Sequence, residues 1–190
     1  CILMVSKGDD LFCGVAADTL KRHEDYAQKA KSQLWMIVLT SRKAFSPIMG
    51  TDFTAYPSNS LHFLCYARDA QKIAQDLMRE NQIPHFDLLV SQDPFFCAHV
   101  ALTLKKIFSC PLQIQDHSCF FSSPEFRKEK PFRPALVYWG KSHLRRADHI
   151  RVVNGVEKTS IEKMLTKKIP IDVQPVPIDT EIFQHSPSLE

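Results

Sequence analysis

The sequence predicts an α/β protein, a three-layer sandwich around a mostly parallel sheet of about seven strands. Short apolar runs alternate with helical patterns along the whole chain. Continuous rather than alternating apolarity is what a strand covered on both faces requires. Strand–helix repetition of this kind implies right-handed β-α-β crossovers, with helices packed on the sheet.

The elements follow in order. Cys1-Ile2-Leu3-Met4-Val5 reads as a first core strand over 2–6. Val15–Lys31 is a long charged helix, and a second strand follows over 35–40. Arg42–Ser60 carries two prolines and few helix formers, so it reads as a long loop. The apolar stretch 61–66 is expected to be the third strand. Asp69–Asn81 is amphipathic, with Ile73, Leu77 and Met78 on one face. A fourth strand is expected over 87–91. Asp93-Pro94 then starts a helix to about Ser109, because Asp caps free N–H groups and Pro fits the first turn. Val100, Leu104 and Ile107 face inward on it. The remaining strands are expected over 111–115, 149–153 and 171–175, with helices over 131–146 and 157–167. Between them, 118–134 is an irregular loop with Phe120, Phe121, Phe126 and Phe132.

Composition narrows the function classes. The 190 residues fit one large domain, residues 1–175, with a Pro-rich tail over 176–190. The net charge of +3 is small, and no basic block marks a nucleic-acid footprint. The six cysteines show no C-x-x-C pair, which points to a reduced, cytosolic compartment. No apolar run approaches the roughly 18 residues of a membrane span. Starting on Cys1 and ending on Glu190, the chain reads as a piece of a longer one. G-x-G-x-x-G, G-x-x-x-x-G-K-[ST] and G-x-S-x-G are all missing, which argues against dinucleotide oxidoreductases, P-loop NTPases and α/β-hydrolases. His143 and His149 lie outside any H-E-x-x-H pattern, so no metal site is expected.

In an open parallel sheet, ligands bind beyond the carboxyl ends of the strands. Ser91-Gln92-Asp93 and Asp116-His117 both arrive at that edge. Asp93 also has a plain role as a helix cap. His117 follows an apolar strand and precedes a loop, where an imidazole can donate, accept or act as a base. The first strand runs into Lys7-Gly8-Asp9-Asp10, and Gly14 opens the long helix. Such a turn lets backbone N–H groups approach an anion at a helix N-terminus, although Gly can also serve only the turn's dihedrals.

Four segments together resemble the N-terminal domain of GT-B-fold glycosyltransferases, specifically glycosyltransferase family 4. They are Ile2–Gly14, Phe86–Phe95, Leu112–His117, and Ala147–Asn154 running on through Ile171–Phe183. In the last, the family's "AD-I-x-VVS" strand and its crossing motif match Ala147–Asn154 and Pro177-Ile178-Asp179 through Phe183 and Pro187. The family's Ser is Asn154 here, its Asn-Gly before the Asp is missing, and its Gly-Gly turn is spread over Lys7–Asp10.

The resemblance implies a Rossmann-like acceptor-binding half of a retaining enzyme that moves a sugar from a nucleotide-sugar donor to an acceptor. It implies no cofactor beyond that co-substrate, a carbohydrate or lipid-linked acceptor, and a cytoplasmic setting compatible with the inner face of a membrane. Residues 176–190 would be the interdomain crossing. The C-terminal donor-binding domain, with its E-x7-E motif, would lie outside these residues, leaving this chain inactive alone. His117 matches the family's histidine near the reaction centre and is the expected catalytic residue. Gly8 or Gly14 is expected near the donor diphosphate. Lys7, Asp9, Gln92, Asp93 and Asn154 complete the expected substrate-binding set. The loops Arg42–Ser60 and Ser118–Pro134 are expected to govern acceptor choice, since they overhang the cleft. Two rivals remain open. One is a free-standing sugar- or peptide-binding module. The other is a small hydrolase or epimerase using Asp93 and His117 with Ser91.

Overall fold

The computed structural model describes residues 1–13, 17–41, 44–81 and 83–175. Gly14 and the segment 176–190 lie outside the described residues. The sheet contains β1 (Ile2–Lys7), β2 (Leu34–Leu39), β3 (Ile48–Met49), β4 (Phe53–Pro57), β5 (Leu88–Ser91), β6 (Leu112–Asp116), β7 (His149–Val152) and β8 (Ile171–Val173). Its order is β3-β4-β2-β1-β5-β6-β7-β8. Every neighbouring pair is parallel except β3–β4. The connecting helices are α1 (Ala17–Ala30), α2 (Tyr66–Glu80), α3 (Phe96–Phe108), α4 (Pro124–Lys128), α5 (Arg133–Leu144) and α6 (Gly155–Met164).

Strand alternation splits the core in two. Leu3, Val5, Trp35, Ile37, Leu89, Leu112, Ile114 and Ile150 point to one face, where they pack with residues of α2, α3, α5 and α6. Met4, Leu34, Met36, Val38, Phe53 and Val90 point to the other, where α1 supplies Ala27 and Leu20. The second face is covered over β4, β2 and β1. Over β6 and β7 it presents Gln113, Gln115 and Arg151 instead, which line an open cavity beside α1.

The third strand is not where the apolar pattern places it. Residues 61–66 form a short 3-10 turn (Phe63–Cys65) and the start of α2, and Leu61 and Leu64 are 74% and 77% exposed. The strand is β4, inside the stretch read as a loop, with Phe53 and Ala55 buried. Pro57 disguised it. Pro57 pairs with Val38 of β2 on one side, while β3 reaches only Thr54 and Ala55 on the other, so the ring removes no needed donor. With β3 added, the mostly parallel sheet has eight strands among the described residues. The loop after β6 is also more ordered than expected, since Ser123 caps α4 through Phe126 N at 3.1 Å.

The chain moves outward from β1 through β2 to β4, then returns to β5 on the other side of β1. The carboxyl ends of β1 and β5 are thus the switch point where the strand order reverses, the usual ligand crevice of such sheets.

Leu89 sits in the middle of this arrangement and is fully buried. Leu89→Ala should lower stability by about 2–5 kcal/mol, a cavity cost. Urea unfolding should show a reduced midpoint at an unchanged slope.

Candidate functional site

Lys7 and Gly8 leave β1 at the switch point. Lys7 Nζ lies 4.2 Å from the centroid of the Phe96 ring at the start of α3, a cation–π contact that ties the turn to the helix. Gly8 has φ +134°, with open space where a Cβ would stand. The backbone there, not crowding, demands glycine.

Gln92 prolongs the β5 ladder, its N–H donating to Val5 O at 3.0 Å. Its side chain spans β1 and α1. Oε1 accepts from Ser6 Oγ at 3.2 Å, and Nε2 donates to Met4 Sδ at 2.8 Å and reaches His23 Nε2 at 3.2 Å. His23 Nδ1 lies 2.6 Å from Thr19 O. A carbonyl only accepts, so the proton is on Nδ1 and Nε2 accepts from Gln92. Burial holds the His23 pKa below its ordinary value, so this ring is a neutral part of the wall.

His117, half-buried just past β6, has its pKa lowered to about 4, first by burial and then by Arg151, Arg22 and His23. At neutral pH it is an uncharged imidazole, able to donate through one nitrogen and accept through the other. His117 and Gln92 border one cavity of about 550 Å³ that also touches Arg22, Tyr26, Gln115 and Arg151. Gly8 and Lys7 border a smaller adjoining recess that shares Arg22, His23 and Gln92 with it.

Asp93 and Asn154 stand elsewhere. Asp93 Oδ1 accepts from Phe95 N at 2.6 Å and Cys97 N at 3.2 Å, satisfying the free amides at the start of α3. Ser91 Oγ donates to Asp93 O at 2.6 Å. Ser91 and Asp93 are therefore engaged in the helix start and not aligned with His117, as a hydrolytic triad would require. Asn154 caps α6, its Oδ1 accepting from Glu157 N at 2.8 Å, while Nδ2 donates to Cys119 Sγ at 2.9 Å. Asp9 closes the 3-10 turn Asp10–Phe12 through its carbonyl, which accepts from Phe12 N at 2.9 Å. Among the described residues no three metal-ligating side chains converge.

Beneath His117 lies a carboxyl pair. Glu157, fully buried, accepts from Phe121 N at 2.8 Å and Ser122 N at 2.9 Å, pinning the loop after β6. Asp116 is also fully buried, and its Oδ1 accepts from Ser118 N at 3.0 Å. Its Oδ2 meets no N–H or hydroxyl donor among the described residues, and its hydrogen-bonding neighbour is the Glu157 carboxyl. Burial and the Glu157 carboxylate push the Asp116 pKa up, to about 8. Two carboxylates so placed do not both ionise in a dry site, so Asp116 is held protonated at neutral pH.

Sequence reading missed Arg22, His23, Tyr26, Gln115 and Arg151. One signal was available. Gln113 and Gln115 alternate with Leu112 and Ile114, and His149 and Arg151 alternate with Ile150 and Val152. Alternation in a parallel sheet marks a face without a helix.

No protein-family model matches the chain, and no curated protein matches it in sequence. Solved structures do match. One of sucrose-phosphate synthase from Thermosynechococcus elongatus superposes with a TM-score of 0.61 at 12% identity, covering 95% of this chain and 92% of that one. A second structure of that enzyme gives a TM-score of 0.63 at 11% identity, covering 96% and 50%. A trehalose-6-phosphate synthase gives 0.52 at 12% identity, covering 95% and 50%. The chain spans about half the length of these last two. Its fold is that of one Rossmann-like half of a GT-B glycosyltransferase.

Two predictions follow from this geometry. Gly8→Ala should destabilise by about 1–3 kcal/mol from backbone strain alone, read as a lowered thermal midpoint. For Asp116 the folded pKa lies above the unfolded one, so its contribution is complete below about pH 4 and is lost as pH rises through about 8. Asp116→Asn mimics the protonated carboxyl. At pH 9 it should be more stable than the parent by about 1–3 kcal/mol, with the difference shrinking toward pH 5.

Proposed function

We propose that this chain is the acceptor-side half of a retaining glycosyltransferase of family 4, acting on a nucleotide-sugar donor. The observation that carries the reading is His117, a neutral imidazole at the carboxyl edge of a fold shared with two sugar-transferring synthases. The trehalose-6-phosphate synthase is described as an enzyme of glycosyl transfer with retention, which supports the same stereochemistry here.

When a nucleoside diphosphate leaves the sugar, negative charge builds on the diphosphate and positive charge on the anomeric carbon. The Gly8 turn and Lys7 stand at the switch-point crevice, where the Lys7 ammonium would favour the leaving anion. His117, uncharged, can hydrogen-bond a sugar hydroxyl without adding positive charge beside the developing cation. The nucleotide would be held mostly by a second domain joined through residues 176–190, so this half alone would not turn over donor. No cofactor is needed beyond the nucleotide-sugar. A reducing cytoplasmic setting suits the six unpaired cysteines. No helix among the described residues is long and apolar enough to cross a membrane, and seating on a membrane face would have to come from the surface.

In the intact protein, His117→Ala should lower kcat about 10²–10³-fold with the circular dichroism spectrum unchanged. Steady-state transfer assays with a panel of nucleotide-sugars provide the check. Unaltered turnover would remove His117 from the reaction centre.

A further inference from the structure

The sheet face that α1 leaves open carries a cavity with unbalanced charge. Near the amino ends of the strands its floor is apolar, built from Ile2, Met4, Leu88 and Val90. Its remaining wall includes Arg22, Arg151 and His117, and among the described residues no Asp or Glu lines it. Its volume of about 550 Å³ suits a small organic ligand.

Arg151 is the strongest sign of an occupant. It is 9% exposed, and its Nε has no hydrogen-bonded partner among the described residues. Its other nitrogens donate to two neutral acceptors, Gln115 Oε1 and Gln174 O, both at 3.3 Å. Asp172 stands opposite in register on β8, but its carboxylate pairs with His149 Nε2 at 3.1 Å. Burying a guanidinium without an anion costs several kcal/mol. Arg22, exposed on α1, faces the same space and is paired with no carboxylate among the described residues.

We propose that this cavity binds a small molecule bearing a phosphate or carboxylate, with the anion on Arg151 and Arg22 and an apolar body over Ile2, Met4, Leu88 and Val90. A guanidinium fork matches either anion in a bidentate geometry. Identifying that molecule as the sugar acceptor rests on the glycosyltransferase reading above. The binding site itself does not.

The test is equilibrium binding to the 190-residue chain by calorimetry at fixed ionic strength, with inorganic phosphate, acetate and hexyl phosphate as probes. Saturable binding of phosphate or acetate is expected, the tighter of the two identifying the anion. Hexyl phosphate should bind at least about tenfold tighter than phosphate, from burial of its chain. Arg151→Met should weaken phosphate or acetate binding about tenfold or more, and Arg22→Gln should weaken it severalfold. Arg22 is exposed, so its variant carries the test even if Arg151→Met fails to fold. Equal affinity in Arg22→Gln and the parent, no saturable binding, or an equal loss in Lys163→Gln on the outside of α6 would overturn the proposal. Because binding is measured apart from transfer, loss of the anion site and loss of the His117 role would be separate results.

Discussion

Crossovers between parallel strands are right-handed, so the face on which a helix lands depends on the direction the chain is travelling across the sheet. From β1 to β2 the chain moves one way, and α1 lands on one face. From β4 it returns past β1 and then moves steadily through β5, β6, β7 and β8, so α2, α3, α5 and α6 all land on the opposite face. That single reversal creates the crevice between the ends of β1 and β5. It also leaves the α1 face open over β6 and β7, where the cavity lies.

The two faces then diverge in chemistry. On the helix-covered face the inward positions of β6 and β7 are Leu112, Ile114, Ile150 and Val152, all fully buried. On the open face the alternate positions are Gln113, Gln115, His149 and Arg151. Gln115 and Arg151 there are buried, and the polar groups bond to one another, as in the chain from Arg151 to Gln115 to Gln113. A face this polar cannot be sealed by an apolar helix without orphaning its donors.

Support for His117 comes from the covered side. Asn154 caps α6 and so orients Glu157, whose carboxylate holds the amides of Phe121 and Ser122. Asp116, buried beside Glu157, is held protonated. The loop leaving β6 is thereby fixed a few residues beyond His117, which explains how a residue at a strand end becomes half-buried rather than loose. Phe95, Phe120 and Phe126 pack at centroid separations of 4.8–6.1 Å over the same loop and exclude water from it.

Much of this was legible in one dimension. Apolar runs located β1, β2 and β5, because burial between layers demands continuous hydrophobicity. The apolar half of an alternating pattern located β6 and β7, since only one of their faces meets helices. Asp93 announced the start of α3, because capping is a local hydrogen-bond requirement. Leu61–Tyr66 misled because an apolar run has no means of declaring itself exposed. Phe53–Pro57 was hidden because a proline is harmless only when its edge is unpaired, and pairing is non-local. His117 lies at the carboxyl edge, but its neutrality depends first on its burial and then on Arg151 and Arg22, which are distant in sequence. The chain's own order of apolar and polar residues thus determined the layers and the carboxyl edge. Tertiary structure alone decided which polar groups share a cavity, since that follows from the strand order and from the face each crossover takes.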